Sequence, residues 1–255
     1  SKCGSKCDKF VFNEKDQEMP FRMIKIVDIF RKIVKDYKRI LIRSNNNFPD
    51  SCGIASSASG YSALVKALND FYSAKFSEKD LSILARMCSG SASRSIPKGI
   101  ALCNKESSVS IGIWPEVRIF FILLSKDPKK VPSTEGMLRT QNSSFFYHDR
   151  MSRIEEKVKL CIEYINSKDF SSLCRMIIRD SNEIHSIMFE TYPPIRYIND
   201  EGFKIMTLVD EYNEKNGLKI AYTFDAGPNP FIITLQEYIE EAKDLLKDYE
   251  LKECN

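Results

Sequence analysis

Two charged side chains stand among small residues where they could take part in acid–base or anion-binding chemistry. Asp225 ends the apolar run Lys219–Asp225 (KIAYTFD), and a carboxylate at a strand end is expected to be partly desolvated and able to orient or deprotonate a hydroxyl. Arg94 lies in the serine-rich segment Ser89–Ser95, where its guanidinium suits a carboxylate or a phosphate. Simpler interpretations remain open: Asp225 as the cap of the following turn, and Arg94 as an ordinary surface arginine.

A third segment has the composition of a phosphate-binding loop. Residues 49–60 (PDSCGIASSASG) are mostly small and lie between a predicted strand and a predicted helix, where free backbone N–H groups attract phosphate. Ser56, Ser57 and Ser59 add hydroxyl donors. The segment is not a Walker A loop, because no Gly-Lys-Ser/Thr ends it. A packed helix that uses alanine and serine to approach a sheet is the alternative.

A fourth segment, Ser133–Met137 (STEGM), opens a further predicted helix. Ser133 is either the N-cap of that helix or a contact for an anion. The residue type alone favours the cap, because serine is among the preferred N-cap residues.

The cysteines give little support for metal binding. Eight are scattered along the chain, and Cys3 and Cys7 form only a lone C-x-x-x-C pair without a second pair of matching spacing. No metal ligands are therefore predicted, and the pattern is typical of reduced thiols in a cytoplasmic protein.

These candidate segments must be positioned by a mixture of helices and strands. Helices are predicted at 21–37, 54–71, 78–88 (capped by Ser77), 135–147, 149–167, 168–190, 198–215 and 238–249, and strands at 39–44, 117–125, 219–225 and 231–235. Residues 1–20 are polar and lack periodicity. The mixed order predicts an α+β protein, with a boundary at Trp114-Pro115 that separates lobes 1–113 and 114–255.

Composition excludes several classes of protein. The 255 residues are 43% hydrophobic, which is enough for a sizeable core. A net charge of +3, with acidic and basic residues balanced along the chain, argues against a nucleic-acid partner. No apolar run reaches the roughly 18 residues that a membrane span needs, so no membrane partner is expected either.

Five segments, in this order, resemble the diphosphomevalonate decarboxylases of the GHMP kinase superfamily. They are Asn46–Pro49 with Gly53–Gly60; Ser89–Ser95; Ser133–Met137; Asp180–Asn182 with His185, Pro193–Ile195 and Tyr197; and Thr223–Asn229. The last (TFDAGPN) is the most distinctive, and its Asp-Ala-Gly-Pro-Asn ending favours the decarboxylases over the kinases of the superfamily.

The resemblance implies a reaction that needs ATP and Mg²⁺. ATP would phosphorylate the tertiary 3-hydroxyl of (R)-5-diphosphomevalonate. The new phosphate would then leave while the carboxylate loses carbon dioxide, giving isopentenyl diphosphate and ADP in the mevalonate pathway of isoprenoid and sterol synthesis. Because the carbon that loses phosphate develops positive character, fixed charges must be positioned to tolerate it.

The resemblance also implies roles for individual residues. Asp225 would orient or deprotonate the 3-hydroxyl, and Arg94 would hold the substrate carboxylate. His185 is expected to have a structural role. The anionic end of the substrate would meet Ser91, Ser133 and Thr134, and the ATP phosphates with their Mg²⁺ would be cradled by Gly53, Ala55, Ser56, Ser57 and Ser59.

The fold implied by the resemblance is a two-lobed GHMP-kinase-like fold, with a first lobe similar to domain 2 of ribosomal protein S5 and a ferredoxin-like second lobe. Members of the family are often homodimers, so a homodimer is a possible assembly. The family's Lys-Tyr-Trp-Gly-Lys segment has no counterpart before Asn45, so the first lobe is expected to be incomplete.

Other departures lie inside the resembling segments. Asp50 replaces a small neutral residue or threonine, Cys88 replaces a glycine, and Pro97-Lys98 interrupts a segment that carries paired glycines in the family. A carboxylate near phosphate costs about 1 kcal/mol at roughly 4 Å in water, and more in a protein. A second hypothesis therefore stands beside the enzyme: a degenerate homologue that serves as a binding or scaffold protein.

Overall fold

The computed structural model describes residues 8–46, 56–127 and 129–254, without the side chains of residues 56 and 57. Contacts between residues divide the chain into two units that meet in sequence between Ile113 and Trp114. Each unit combines helices with strands, which confirms the predicted α+β class.

The first unit contains a small sheet, three helices and a hairpin. Its elements are β1 (Lys9–Phe12), β2 (Lys15–Gln17), α1 (Phe21–Val34), β3 (Leu41–Ser44), α2 (Ser56–Phe71), α3 (Glu78–Cys88), a 3-10 helix (Gly90–Ser95), β4 (Ile100–Cys103) and β5 (Ser108–Gly112). The sheet has the order β2-β1-β3, in which β1 pairs antiparallel with β2 and parallel with β3. Strands β4 and β5 form an antiparallel pair.

The core of the first unit follows the predicted helical periodicity. Ile26, Val27 and Phe30 of α1 are buried at the spacing of one helix face and belong to the same cluster as Val65 of α2. Helix α3 begins at the predicted cap, because the Ser77 hydroxyl accepts from the N–H of Asp80 while the carboxylate of Asp80 accepts from the N–H of Ser77.

The polar opening of the chain is more ordered than its sequence suggests. Residues 1–20 lack a periodic pattern in the sequence, and yet β1 and β2 form a hairpin there. Asn13 and Glu14 at its turn both have positive φ (48° and 64°), as a tight two-residue hairpin turn requires. Arg31 of α1 fixes the start of β1 through two hydrogen bonds of 2.7 Å to Asp8.

The second unit packs helices against a four-stranded antiparallel sheet. Its elements are β6 (Val117–Ile122), α4 (Ser133–Ser143), α5 (Tyr147–Ser167), α6 (Phe170–Glu190), α7 (Asp200–Asn216), β7 (Ile220–Phe224), β8 (Pro230–Leu235), a 3-10 turn (Gln236–Tyr238), α8 (Ile239–Leu245) and β9 (Leu251–Glu253). The strand order is β7-β8-β6-β9.

Strand β7 is the element that brings the Asp225 segment to the surface of this unit. Ile220, Tyr222 and Phe224 are all buried, in the same core cluster as Ile205 and Val209 of α7. Burial raises the pKa of Tyr222 to about 12, and its hydroxyl donates to Asp210 at 3.2 Å. The strand is therefore anchored along its whole length before it reaches the loop.

The end of the chain departs from the prediction. The single helix expected over 238–249 is wrong, because α8 ends at Leu245 and β9 follows it to pair with β6. The strand expected over 117–125 is shorter and ends at Ile122. Within the described ranges, no helix is both long and apolar enough to cross a membrane.

Candidate active site

The loop 225–229 joins β7 to β8, since Phe224 and Pro230 are paired across the hairpin. The N–H of Gly227 donates to the C=O of Asp225 at 2.8 Å, so a backbone carbonyl closes the turn and the Asp225 carboxylate is not needed as its cap. That side chain is exposed, so the predicted desolvation is wrong. The buried strand ends at Phe224, and the loop turns the next residue outward.

Asn229 attaches this loop to the neighbouring strand. Its side chain is only 1% exposed, and its Oδ1 accepts from the N–H groups of Leu124 at 2.7 Å and Ser125 at 3.0 Å. Its Nδ2 donates to the C=O of Ser125 at 3.1 Å. Asn229 therefore links the Asp225 loop to the segment that follows β6, and that segment leads to Lys129.

Lys129 is a site residue that the sequence analysis missed. Its ammonium group donates to the hydroxyl of Ser133 at 2.8 Å. Burial lowers the pKa of Lys129, while the negative charge of Asp225 acts in the opposite direction. Lys129 is therefore half-buried, bonded to one predicted site residue and within electrostatic reach of another.

Helix α4 starts at Ser133, so the interpretation of Ser133 as an N-cap is wrong: Pro132 occupies the cap position. Ser133 is half-buried, and Thr134 beside it is exposed. The first N–H groups of a helix have no partner inside the helix and attract anions. Lys129, which lies within electrostatic reach of Asp225, and the first N–H groups of α4 therefore supply positive charge here, while Glu135 in the same turn pairs with Arg139.

Gly136 gives this helix start its close packing. A Cβ atom added at Gly136 would lie 2.5 Å from the hydroxyl oxygen of Tyr197. That hydroxyl donates to the C=O of Val131 at 3.0 Å, just before α4. Two of the segments that carry the family resemblance are thus in direct contact.

Replacing Gly136 by alanine is expected to destabilise the second unit by about 1–3 kcal/mol, because Tyr197 must move and its bond to Val131 is weakened. Thermal unfolding followed by circular dichroism measures the effect. Gly60→Ala is the matched control, since a Cβ at Gly60 meets nothing within 4 Å. A Gly136→Ala protein that unfolds at the parent temperature would show that this contact is unimportant.

The serine-rich segment of the first unit divides into packing and accessible residues. Ser93 is fully buried, and its hydroxyl accepts from Ser108 at 3.0 Å while its carbonyl accepts from Ser82 at 3.1 Å. Ser91 is half-buried, with its Oγ 3.2 Å from that of Ser89. Arg94 is exposed and makes no hydrogen bond or ion pair with another described residue. Its guanidinium is therefore accessible to a ligand.

The predicted phosphate loop lies mostly outside the described residues. This applies to Gly53 and Ala55, while Ser56 and Ser57 are described only as the opening of α2. Ser59 is half-buried in the first turn, where its C=O accepts from the hydroxyl of Ser62 at 2.9 Å. The helix expected after the loop is confirmed, and it begins at Ser56.

The predicted site residues are thus distributed over both units. Asp225, Ser133 and Thr134 belong to the second unit, where the first two share Lys129 as a neighbour. The first unit carries Ser59 and the serine-rich segment with Ser91 and Arg94. No group of three or more His, Cys, Asp or Glu side chains suited to a metal ion occurs in the described part of the chain.

Two family profiles match the chain over nearly its whole length. The profile described as Diphosphomevalonate decarboxylase-like N-terminal domain matches residues 2–111, and the one described as Mevalonate 5-diphosphate decarboxylase C-terminal domain matches residues 119–254. Solved structures are similar as well. The mevalonate diphosphate decarboxylase of Trypanosoma brucei has a TM-score of 0.88 and 29% identity over 97% of this chain and 70% of that one.

A second similar structure is MDDEF in complex with MVAPP, AMPPCP and magnesium, with a TM-score of 0.84 and 29% identity over 99% of this chain and 81% of that one. Among curated relatives, the diphosphomevalonate decarboxylase of Ganoderma lucidum is 38% identical over 82% of this chain, and that of Danio rerio is 35% identical over 85%. The aligned regions span 56% and 57% of those two proteins, so the chain spans little more than half the length of the relatives it matches. By both profiles and these likenesses, the chain belongs to the diphosphomevalonate decarboxylase family.

Proposed function

We propose that this chain catalyses the ATP-dependent decarboxylation of (R)-5-diphosphomevalonate to isopentenyl diphosphate, with release of ADP, phosphate and carbon dioxide. The observation that carries the proposal is the group formed by Asp225, Lys129 and Ser133. An exposed carboxylate lies within electrostatic reach of a half-buried ammonium group, which is bonded to the hydroxyl at the start of α4. The names of the relatives and the MVAPP complex of MDDEF support the choice of substrate.

Asp225 supplies the base that this chemistry needs. The tertiary hydroxyl of the substrate is a poor leaving group, and the substrate has no carbonyl to accept electrons from the breaking C–C bond. Asp225 accepts the hydroxyl proton as the oxygen attacks the terminal phosphate of ATP. Lys129 is then positioned to stabilise the negative charge on the transferred phosphoryl group, and its partial burial strengthens that interaction.

Two further groups hold the anionic parts of the substrate. The free guanidinium of Arg94 binds the carboxylate through two parallel hydrogen bonds, and Ser91 lies on the same 3-10 helix. The diphosphate is bound by Ser133, Thr134 and the N–H groups at the start of α4. Each of these side chains is exposed or half-buried and therefore accessible.

ATP binds with its phosphates at the start of α2. The helix has 16 residues and no acidic side chain in its first turn, so its N-terminus suits a polyanion. The residues assigned to ATP are Gly53, Ala55, Ser56, Ser57 and Ser59. Mg²⁺, when bound, neutralises the phosphate charge, and it is held mainly by phosphate oxygens, water and hydroxyl groups. The AMPPCP and magnesium bound by MDDEF support the choice of ATP and Mg²⁺ as the ligands.

The proposal is tested by incubating the chain with Mg²⁺, ATP and 5-diphosphomevalonate and measuring ADP formation. We expect ADP formation to depend on all three, and to fall to background when 5-diphosphomevalonate is replaced by 5-phosphomevalonate. Equal rates with and without 5-diphosphomevalonate would contradict the proposal.

The alternative, a degenerate homologue that binds ligands without turnover, is favoured by the replacements at Asp50, Cys88 and Pro97-Lys98. Cys88 is buried among apolar side chains, and burial raises the pKa of its thiol to about 11, so it acts as a packing residue. A binding protein would be stabilised by about 2.7 kcal/mol at 100 times the Kd of a ligand, without product formation. Because an enzyme that binds ATP is stabilised as well, thermal unfolding establishes ATP binding, and ADP formation measured beside it separates binding alone from catalysis.

We also propose that the protein works in the cytoplasm as a homodimer and binds neither membrane nor nucleic acid. Five cysteines in the described residues are free thiols, as expected in a reducing compartment. Light scattering of the purified chain measures the assembly directly, and a monomer at all concentrations would contradict the dimer.

A further inference from the structure

We infer that Ser181 and His185 of α6 are positioning residues for Asp225, which they hold in place through the backbone of Phe224. The inference rests on the proposed function, because it assigns Asp225 the role of base. Neither side chain needs to touch the substrate for this effect. Both act on the last residue of β7, directly before Asp225 in the chain.

The two side chains satisfy both polar backbone groups of Phe224. The Oγ of Ser181 accepts from the N–H of Phe224 at 3.1 Å, and the Nε2 of His185 lies 3.1 Å from its C=O. Because a carbonyl can only accept, Nε2 must carry the proton. Ser181 and His185 are four residues apart on one helix, so they lie on the same face one turn apart.

The sheet itself leaves these two groups without strand partners. In the order β7-β8-β6-β9, β7 is an edge strand among the described residues, and groups that point away from β8 need another partner. Helix α6 packs against β7 and supplies side chains in place of a further strand.

The surroundings of Phe224 allow it little freedom to shift. His185 packs edge-on against its ring at 6.1 Å, and both residues are 4% exposed. On another side, Gly202 of α7 is so close that an added Cβ would lie 3.1 Å from the ring. Burial lowers the pKa of His185 from its ordinary value, so the neutral imidazole, which has a single N–H to donate, is favoured near pH 7.

This arrangement matters because Asp225 has no side-chain hydrogen bond of its own to hold it among the described residues. Its position depends on the backbone on either side: Phe224 before it, and the turn at Gly227 after it. A misplacement of about 1 Å at a reacting group costs about 100-fold in rate. Loss of the hydrogen bonds from Ser181 and His185 to Phe224 is therefore expected to lower kcat more than it weakens ATP binding.

The test compares variants that remove or keep the hydrogen bonds. His185→Leu removes the donor at similar volume, His185→Gln keeps an N–H that can reach the same carbonyl, and Ser181→Ala removes the acceptor. Ser186→Ala is the matched control: it lies on the same helix, is exposed, and its hydroxyl binds the C=O of Asn182. For each protein kcat, both KM values and the amide hydrogen exchange of residues 224–227 are measured.

We expect His185→Leu and Ser181→Ala to lower kcat about 10- to 100-fold, with the KM for ATP changed by less than about twofold. Exchange at 224–227 should be faster in both. His185→Gln should stay within about threefold of the parent kcat, and Ser186→Ala should match the parent. If His185→Leu and Ser181→Ala only lower the melting temperature while kcat and exchange at 224–227 stay at parent values, the inference is overturned.

If the proposed function is wrong, the measurements differ from those expected if only the positioning role is wrong. A parent chain without turnover refutes the decarboxylase proposal but leaves the exchange measurement intact. Faster exchange confined to 224–227 in both variants would then still support the hold on Phe224, and unchanged exchange would overturn it. If His185→Leu does not fold, Ser181→Ala still tests the inference, because it removes only the hydroxyl oxygen of one side chain.

Discussion

Asp225→Asn is expected to lower kcat about 1,000-fold, the middle of the range for loss of a positioned general base. The amide keeps the size of the side chain but cannot accept the hydroxyl proton. Because Asp225 is exposed, its replacement should change the free energy of unfolding by less than about 0.5 kcal/mol. Steady-state ADP release under saturating ATP and 5-diphosphomevalonate measures kcat, and thermal unfolding measures stability.

Asp244→Asn is a suitable control for the loss of one negative charge. Asp244 is exposed on the helix α8 and does not belong to the loop 225–229. Its replacement should leave kcat unchanged. An Asp225→Asn protein with parent activity would remove Asp225 from the mechanism, and with it the positioning role of Ser181 and His185.

Arg94→Met is expected to lower kcat/KM for 5-diphosphomevalonate about 100-fold, with little change in the KM for ATP. Each hydrogen bond between charged groups contributes about 1.5–3 kcal/mol, and a loss of about 2.7 kcal/mol corresponds to 100-fold. Arg94 makes no hydrogen bond or ion pair that stabilises the fold among the described residues. The substitution should therefore not change the melting temperature, and initial rates over a range of substrate concentrations measure the effect.

Two companion variants show whether charge or geometry is responsible. Arg94→Lys keeps the charge but loses the planar pair of donors, so it should restore only part of the activity. Lys79→Met removes an exposed cation from α3 and should have no effect. If Arg94→Met has the kcat/KM of the parent, Arg94 is an ordinary surface arginine.

The sequence predicted the long elements of the fold well, because they follow simple periodic patterns. The buried face of α1 and the capped start of α3 are confirmed. Strands β4, β5 and β9 were missed, since each has only three to five residues and depends on pairing that the sequence does not show locally. The residues of β9 follow the charged segment 238–249, whose composition resembles a helix more than a strand.

The candidate site was predicted in part, for similar reasons. The segment around Asp225 was recognisable, but its exposure depends on where the hairpin turns, and that is set by the pairing of Phe224 with Pro230. Lys129 was missed because a lysine in the charged run KDPKK looks like a solvated turn residue. Only the fold brings it to Ser133 and Asp225, and only the fold separates the buried Ser93 from the accessible Ser91.

The reaction itself is tested most directly by the release of labelled carbon dioxide from 5-diphosphomevalonate carrying ¹⁴C in its carboxyl group. We expect this chain to release one carbon dioxide for each ADP formed, and Asp225→Asn to suppress both products together. ADP formation without carbon dioxide would identify a kinase or ATPase activity and contradict the account. The absence of both products, with ATP still bound, would favour the binding protein.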